Sequence, residues 1–224
     1  MLAQTPSQIF QSALRGKIES SMYSCLSTFN YLNYQEESRT PFRQLSVLND
    51  ETLAPKKHVD YFVETNQTIV LIPLVGAIDL KLENSDEFIT VNQVHIFSIE
   101  KESTFSISNP YEIELVNFLQ IRFNSKSQDS NKITFDLDIR NKVTTLAENE
   151  NFCLSIGLFD ARCEVIHHIK NNNHGLFTFV LNGAFEFQNR LLENRDGLKI
   201  WEVDKIEFEA LSENAMLLII DVLI

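Results

Sequence analysis

Apolar and polar residues alternate in short segments along most of the chain. Residues 78–83, 105–108, 133–139 and 206–208 each place an apolar side chain at every second position. Because successive side chains of a β-strand point to opposite faces of a sheet, this period of two is typical of half-buried strands. Many short strands at regular spacing predict an all-β sandwich or barrel.

The chain also contains an internal repeat. Residues 74–80 (Leu-Val-Gly-Ala-Ile-Asp-Leu) resemble residues 181–187 (Leu-Asn-Gly-Ala-Phe-Glu-Phe), 107 positions later. Residues 92–97 resemble residues 196–201, 104 positions later. Two similarities in the same order and at nearly the same spacing indicate a duplicated β unit of about 100 residues. We therefore expect two β-barrels in tandem rather than one large sandwich.

Charge and composition exclude several classes of function. The 224 residues include 31 acidic and 19 basic side chains, a net charge of −12, so the chain lacks the basic face that nucleic acids and anionic membranes require. The longest apolar run, residues 215–220, is too short to span a bilayer, and residues 1–20 lack the pattern of a signal peptide. Cys25, Cys153 and Cys163 form no CxxC pair and are most simply small buried hydrophobes. We expect a cytoplasmic protein.

The start of the chain has a different pattern. Thr5 suits a helix cap, Pro6 the first helical position, and Gln8 completes a capping box. The apolar residues between 9 and 18 then lie on one helical face, which favours a homodimer. The predicted organisation is a helical arm over 1–22, a barrel over 23–130, a polar linker or strand crossing over 131–150, and a second barrel over 151–224.

Three segments resemble a known family. Residues 27–34 (Ser-Thr-Phe-Asn-Tyr-Leu-Asn-Tyr), residues 44–51 (Gln-Leu-Ser-Val-Leu-Asn-Asp-Glu), and residues 196–202 (Asp-Gly-Leu-Lys-Ile-Trp-Glu) followed by 217–222 are similar to segments of the pirin family, which includes bacterial quercetinase-like members. The resemblance implies two tandem cupin barrels, each a double-stranded β-helix of the jelly-roll type. With the short N-terminal helix, the expected fold class is all-β.

The resemblance also implies a metal site in the first barrel, and this chain departs from it. Members of the family bind one iron or similar ion through an H-P-H-x-x-x-E motif and, about forty residues later, an H-S-E-Y-N motif. Counted from Asn49 without gaps, the four ligand positions fall on Phe62, Glu64, Phe105 and Ile107. Three of these side chains cannot bind a metal, and one carboxylate alone does not hold a transition metal. The loss of the ligands that the resemblance implies therefore predicts a first barrel without metal or other cofactor.

These four residues allow two interpretations. Phe62, Phe105 and Ile107 either line a pocket for a small apolar or aromatic ligand or simply fill the core of the barrel. Glu64 either works as an acid, base or ligand anchor in an apolar cavity, or faces solvent if the strand register differs by one residue.

The histidines give weaker signals. His58 lies six residues before Glu64, a spacing that matches no standard metal site. His95 alternates with apolar residues and is expected to face solvent. His167, His168 and His174 form the densest group, but adjacent strand residues point to opposite faces, so His167 and His168 cannot both enter one site.

The function that we expect is therefore non-catalytic. A metal-free, pirin-like bicupin would serve as a small-molecule-binding or protein-interaction module. The alternative is a quercetinase-type dioxygenase or another metal-dependent small-molecule enzyme, as the resemblance implies for members whose metal ligands are intact.

Overall fold

Strands make up most of the chain, which confirms the all-β expectation. A computed structural model describes residues 5–125, 130–136, 138–169 and 174–223. Its strands are β1 (Ser7–Phe10), β2 (Gly16–Glu19), β3 (Tyr23–Ser27), β4 (Leu45–Leu53), β5 (His58–Val63), β6 (Gln67–Val75), β7 (Ala77–Lys81), β8 (Asp86–Thr90), β9 (Gln93–Ile99), β10 (Ser103–Ser108), β11 (Val116–Phe123), β12 (Asn131–Thr134), β13 (Lys142–Glu148), β14 (Phe152–Phe159), β15 (Glu164–His168), β16 (His174–Asn182), β17 (Phe185–Phe187), β18 (Leu191–Leu192), β19 (Gly197–Ile200), β20 (Lys205–Ala210) and β21 (Ala215–Leu223). Two short 3₁₀ helices, Ser12–Leu14 and Glu37–Arg39, accompany them. Within these described ranges, no helix has the length and apolarity needed to cross a membrane.

The N-terminal barrel comprises residues 15–135. A seven-stranded sheet of order β12-β9-β6-β11-β4-β3-β2 and a four-stranded sheet of order β5-β10-β7-β8 form its walls. Apolar side chains from both sheets meet inside, including Leu71 and Phe97 from the large sheet and Leu80, Phe105 and Ile107 from the small one. The alternating pattern thus places one side of each strand in this core.

The C-terminal barrel comprises residues 1–14 and 136–224 and has the same plan. A six-stranded sheet of order β1-β19-β16-β21-β14-β13 is paired with a four-stranded sheet of order β15-β20-β17-β18. The core between them is rich in phenylalanine: the Phe208 ring lies 5.3 Å from that of Phe159 and 5.5 Å from that of Phe187, centre to centre. Aromatic core packing of this kind accounts for much of the chain's phenylalanine, 17 residues against five tyrosines and one tryptophan.

The internal repeat corresponds to equivalent turns in the two barrels. Gly76 joins β6 to β7 with a φ of +74°, and Gly183 joins β16 to β17 with a φ of +79°. This left-handed conformation strains any residue with a Cβ atom, which explains why a glycine occupies each turn. The second repeated segment begins β9 in one barrel and β19 in the other, and these strands pair with β6 and β16 respectively.

The predicted helical arm over 1–22 is wrong in the part of it that the structure describes. Residues 7–10 form strand β1, which pairs antiparallel with β19 from Ser7 opposite Ile200 to Phe10 opposite Gly197. The open edge of β19 offers backbone hydrogen bonds, and Phe10 becomes fully buried in that register, so tertiary pairing overrides the local helix signals. The apolar face proposed for a dimer is therefore not formed, and the homodimer stays a prediction without this support.

The Asp-Gly pair at 196–197 holds this N-terminal strand in place. Asp196 accepts hydrogen bonds from the backbone nitrogen atoms of Ser12, at 2.7 Å, and of Glu193, at 3.0 Å. A Cβ atom on Gly197 would lie only 2.7 Å from Cζ of Phe177, so glycine is needed where the rings of Phe177 and Phe10 pack together. A motif that marks the family resemblance therefore has a structural role.

The segment predicted as a linker over 131–150 is largely strand. β12 extends the large sheet of the N-terminal barrel next to β9, and β13 is an edge strand of the large sheet of the C-terminal barrel. The two units accordingly divide at residues 135 and 136, and residues 5–14 belong with the C-terminal barrel rather than with an arm. Leu137, part of the predicted alternating segment 133–139, lies outside the described residues.

Replacing Phe10 tests the role of β1. We expect Phe10→Ala to lower the free energy of unfolding of the C-terminal barrel by about 3 kcal/mol, because it removes a fully buried ring in contact with Phe177. Ile9→Ala, on the same strand but 40% exposed, is the control and should cost less than about 1 kcal/mol. Chemical unfolding followed by circular dichroism measures both. If the two variants lowered the free energy of unfolding equally, the register that buries Phe10 and exposes Ile9 would be contradicted.

Candidate functional site

A group of polar side chains lies inside the N-terminal barrel. Asn49 and Glu51 lie on β4 at every second position before Leu53, so they share the face on which Leu53 points into the core. Gln120 and Arg122 of β11 follow the core residue Phe118 in the same way. Tyr23 of β3 and Tyr61 of β5 complete the group. We call it the Glu51 cluster, and its members are Tyr23, Asn49, Glu51, Tyr61, Gln120 and Arg122.

Hydrogen bonds satisfy the carboxylate at the centre of this cluster. Tyr23 Oη donates to Glu51 Oε2 at 2.7 Å, and Tyr61 Oη donates to the same oxygen. Asn49 Nδ2 donates to Oε1 at 3.3 Å. Tyr23 belongs to the large sheet and Tyr61 to the small sheet, so Glu51 connects the two walls of the barrel. A fully buried carboxylate is tolerated only when its oxygens are paired in this way.

Burial changes the acidity of these groups. Loss of solvent raises the pKa of Glu51 above its usual value of 4.5, and the hydrogen bonds from Tyr61, Tyr23 and Asn49 only partly oppose this rise. Burial and the neighbouring Glu51 charge raise the pKa of both Tyr23 and Tyr61. Burial also raises the pKa of Cys25 to about 12, so this thiol is protonated at neutral pH and is not a nucleophile.

Arg122 is a buried cation beside the same carboxylate. Its guanidinium carbon lies 5.4 Å from the ring centre of Tyr61 and 5.5 Å from that of Phe105. Nε donates a hydrogen bond to Gln120 Oε1, and Nη1 donates to Gln67 Oε1 at 3.4 Å. The charge of Arg122 favours the ionised form of Glu51, but less strongly than burial opposes it.

Two of the four expected pocket residues lie outside the barrel. Phe62 is 58% exposed and Glu64 is exposed, whereas Tyr61 and Val63 point into the core. The register counted from Asn49 is displaced by one residue on β5, and a shift of one residue exchanges the two faces of a strand. For Glu64 the solvent-facing interpretation is therefore the one that the structure supports.

The other two expected residues lie in the core. Phe105 and Ile107 on β10 are buried and face the interior. Phe105 lies directly opposite Tyr61 of β5, and their rings stack with centres 4.7 Å apart. Phe97 meets Phe105 edge-on at 5.6 Å. These side chains pack in the interior beside the Glu51 cluster, and a role for Phe105 and Ile107 in a ligand pocket stays a prediction.

The donors inside the N-terminal barrel do not fit the metal centre that the resemblance implies. Phe105 and Ile107 have no donor atom, and both oxygens of Glu51 already accept hydrogen bonds from Tyr23, Tyr61 and Asn49. Over the ranges that the structure describes, no three histidine, cysteine, aspartate or glutamate side chains converge as metal ligands. A stable transition-metal site needs several such donors at once.

The histidine expectations have mixed outcomes. His58 is exposed, 3.9 Å from Asp60. The expectation that His95 faces solvent is wrong: it is 1% exposed, because β9 lies inside a sheet that is covered on both faces. Burial lowers the pKa of His95, so it is neutral, and its Nε2 atom lies 3.2 Å from Ser130 Oγ.

The second histidine group divides between the two faces of β15, as the strand geometry predicts. His167 points inward, with Nε2 3.7 Å from Oδ2 of the buried Asp221 on β21, whereas His168 is exposed. His174 begins β16, and its side chain lies outside the described part of the chain. Of the two described members of this group, only His167 lies beside Asp221 in the C-terminal barrel.

Comparison with known proteins agrees with this architecture. Residues 140–222 match the family model of the quercetinase C-terminal cupin domain. No curated protein matches the sequence. YhhW from Escherichia coli is 17% identical, with 97% of each chain covered and a TM-score of 0.84. A structure described as bacterial pirin YhhW in complex with nickel(II) is 16% identical, with 97% of this chain and 99% of that chain covered and a TM-score of 0.84. Quercetin 2,3-dioxygenase from Acinetobacter baumannii is 13% identical, with 96% and 78% covered and a TM-score of 0.71.

The two barrels define a bicupin. The family match over the C-terminal barrel and the structural similarity over nearly the whole chain confirm the resemblance seen in the sequence. The chain thus has a cupin fold similar to that of the pirin YhhW, and at these identities the similarity of structure establishes the fold alone.

Glu51→Gln tests the acidity of the central carboxyl group. The folded barrel holds the Glu51 proton to a higher pH than the unfolded chain does, so this group stabilises the fold most below about pH 4.5 and progressively less as pH rises. We therefore expect the stability of the wild type, measured relative to Glu51→Gln, to fall as pH rises from about 4.5. The limiting slope is about 1.4 kcal/mol per pH unit between the two pKa values.

Urea unfolding of both proteins between about pH 4.5 and pH 8 measures this difference. Glu64→Gln is the matched control, because it neutralises an exposed carboxylate immediately after β5. This variant should not reproduce the trend. A difference between wild type and Glu51→Gln that stays constant or rises with pH would contradict the raised pKa.

Proposed function

We propose that this chain is a metal-free, pirin-like bicupin and a non-catalytic binding module, for a small molecule or for another protein. The observation that carries the proposal is the content of the N-terminal barrel. Phe105 and Ile107 occupy β10 positions where the resemblance implies a histidine and a glutamate, and both are packed in the core. On β5, the inward positions are held by Tyr61 and Val63.

The Glu51 cluster supports the same proposal. Its carboxylate is held by two tyrosines and an asparagine, and it is inaccessible to solvent. A catalytic carboxylate needs contact with substrate, and a metal ligand needs a free oxygen lone pair directed at the ion. This arrangement instead suits a structural and positioning role inside a binding barrel.

The metal content of the purified protein tests the proposal directly. After expression in medium supplemented with iron, nickel, copper and zinc, we expect far less than one tightly bound ion per chain, because the donor set is incomplete. Inductively coupled plasma mass spectrometry gives the stoichiometry. About one tightly bound iron, nickel, copper or zinc ion per chain would overturn the proposal, and loss of that ion in His167→Ala would assign it to the C-terminal barrel.

The dioxygenase alternative has its own test. With a flavonol substrate, the rate of oxygen uptake should equal that of buffer containing the same metal salt, with or without added iron(II) or nickel(II). The reason is that the described residues of the barrel include no cluster of ligands to hold the ion. A Clark electrode measures the rate. Substrate-dependent uptake that scales with protein concentration under any metal loading would establish catalysis and refute the non-catalytic proposal.

A further inference from the structure

Arg122 is a buried cation that makes no direct ion pair in the described part of the chain, although it lies close enough to Glu51 for their charges to interact. The residue is 5% exposed and lies inside the N-terminal barrel, over the faces of Tyr61 and Phe105. Its hydrogen-bond partners, Gln120 and Gln67, are both neutral. Across the described ranges, no carboxylate lies within 4.0 Å of its guanidinium nitrogen atoms. A buried charge that is not directly paired is unfavourable, so this position is suited to an anion that contacts the guanidinium directly.

Gln120 presents a second unused donor beside Arg122. Its Oε1 accepts the hydrogen bond from Arg122 Nε, which determines the orientation of the amide group. The Nε2 atom is consequently directed elsewhere, is buried, and has no acceptor in the part of the chain that the structure describes. Buried amide donors are nearly always paired, so an orphaned one indicates a missing acceptor.

Glu51 does not supply this acceptor. Its two oxygens accept from Tyr23, Tyr61 and Asn49, and it forms no hydrogen bond with Gln120 or Arg122. In the described part of the chain, the donors left for a ligand are thus the neutral Gln120 Nε2 amide and the Nη2 group of the positively charged Arg122, whose Nε and Nη1 already donate. Guanidinium and amide donors together match the two oxygens of a carboxylate, with which arginine forms its strongest charge-assisted hydrogen bonds.

We propose that the N-terminal barrel binds a small carboxylate whose oxygens accept hydrogen bonds from Arg122 and from Gln120 Nε2. This inference rests on the proposed binding function and names the chemical class of its ligand. The stacked rings of Tyr61 and Phe105 form an apolar wall beside the charged group, which suits a ligand with one anionic end and a small apolar body.

Nuclear magnetic resonance of the ¹⁵N-labelled full chain tests the proposal. The probes are acetate and benzoate, titrated to roughly 50 mM at constant ionic strength, enough to saturate a site with a Kd of about 1 mM. The side-chain amide signals of Gln120, identified by their loss in Gln120→Leu, should shift and saturate with both carboxylates. Acetamide and benzamide, which match them in shape but are neutral, should produce no saturable shift.

Two variants locate the site. Arg122→Gln should weaken carboxylate binding at least about tenfold, as expected for loss of a charge-assisted hydrogen bond, whereas Arg162→Gln at an exposed position of the C-terminal barrel should leave it unchanged. The wild-type titration does not depend on Arg122→Gln, so failure of that variant to fold does not remove the test.

The outcomes separate this inference from the proposed function. Treatment with a chelator should leave the shifts unchanged. Shifts that disappear on chelation would mean that carboxylate binds a metal, which would overturn this inference and the metal-free proposal together. No saturable shift, equal shifts with the neutral amides, or unchanged binding in a folded Arg122→Gln would overturn only the carboxylate site.

Discussion

The hydrogen bonds to Glu51 connect the two walls of the N-terminal barrel. Glu51 and Tyr23 belong to the large sheet and Tyr61 to the small one, so the hydrogen bond from Tyr61 joins the two walls, and separating them would leave the buried Tyr61 hydroxyl group without this acceptor. The aromatic stack of Tyr61 on Phe105 and the position of Arg122 above both rings depend on the same arrangement. The polar contact of Tyr61 with Glu51 therefore helps to position the aromatic rings packed beside it.

Much of the architecture could be predicted from local pattern. Period-two alternation is a direct consequence of strand geometry, so it indicates strands wherever one face is buried. The repeat around Gly76 and Gly183 was visible because both turns need the same left-handed conformation, which glycine adopts without strain. These signals identified an all-β chain with two similar barrels, and the comparisons confirm the cupin fold.

The candidate site could be predicted only in part. Phe105 and Ile107 do face the interior, but the register on β5 differed by one residue, which exchanged Phe62 and Glu64 for Tyr61 and Val63. His95 was misplaced because its strand is covered on both faces, where alternation has no predictive value. Glu51 could not be recognised as a site, because the sequence of β4 contains Ser, Asn, Asp, Glu and Thr, and only the fold shows that its carboxyl group is buried.

The sequence by itself determined the strands, the duplicated turns and the acidic surface, because each depends on residue type and spacing along the chain. Tertiary structure alone decided that residues 7–10 form a strand on β19 and that Tyr23, Glu51 and Tyr61 meet. Those contacts join positions separated by 10 to 28 residues within the cluster, and by most of the chain's length for β1. Their energy comes from burial and from pairing of polar groups with distant partners, which local pattern does not encode.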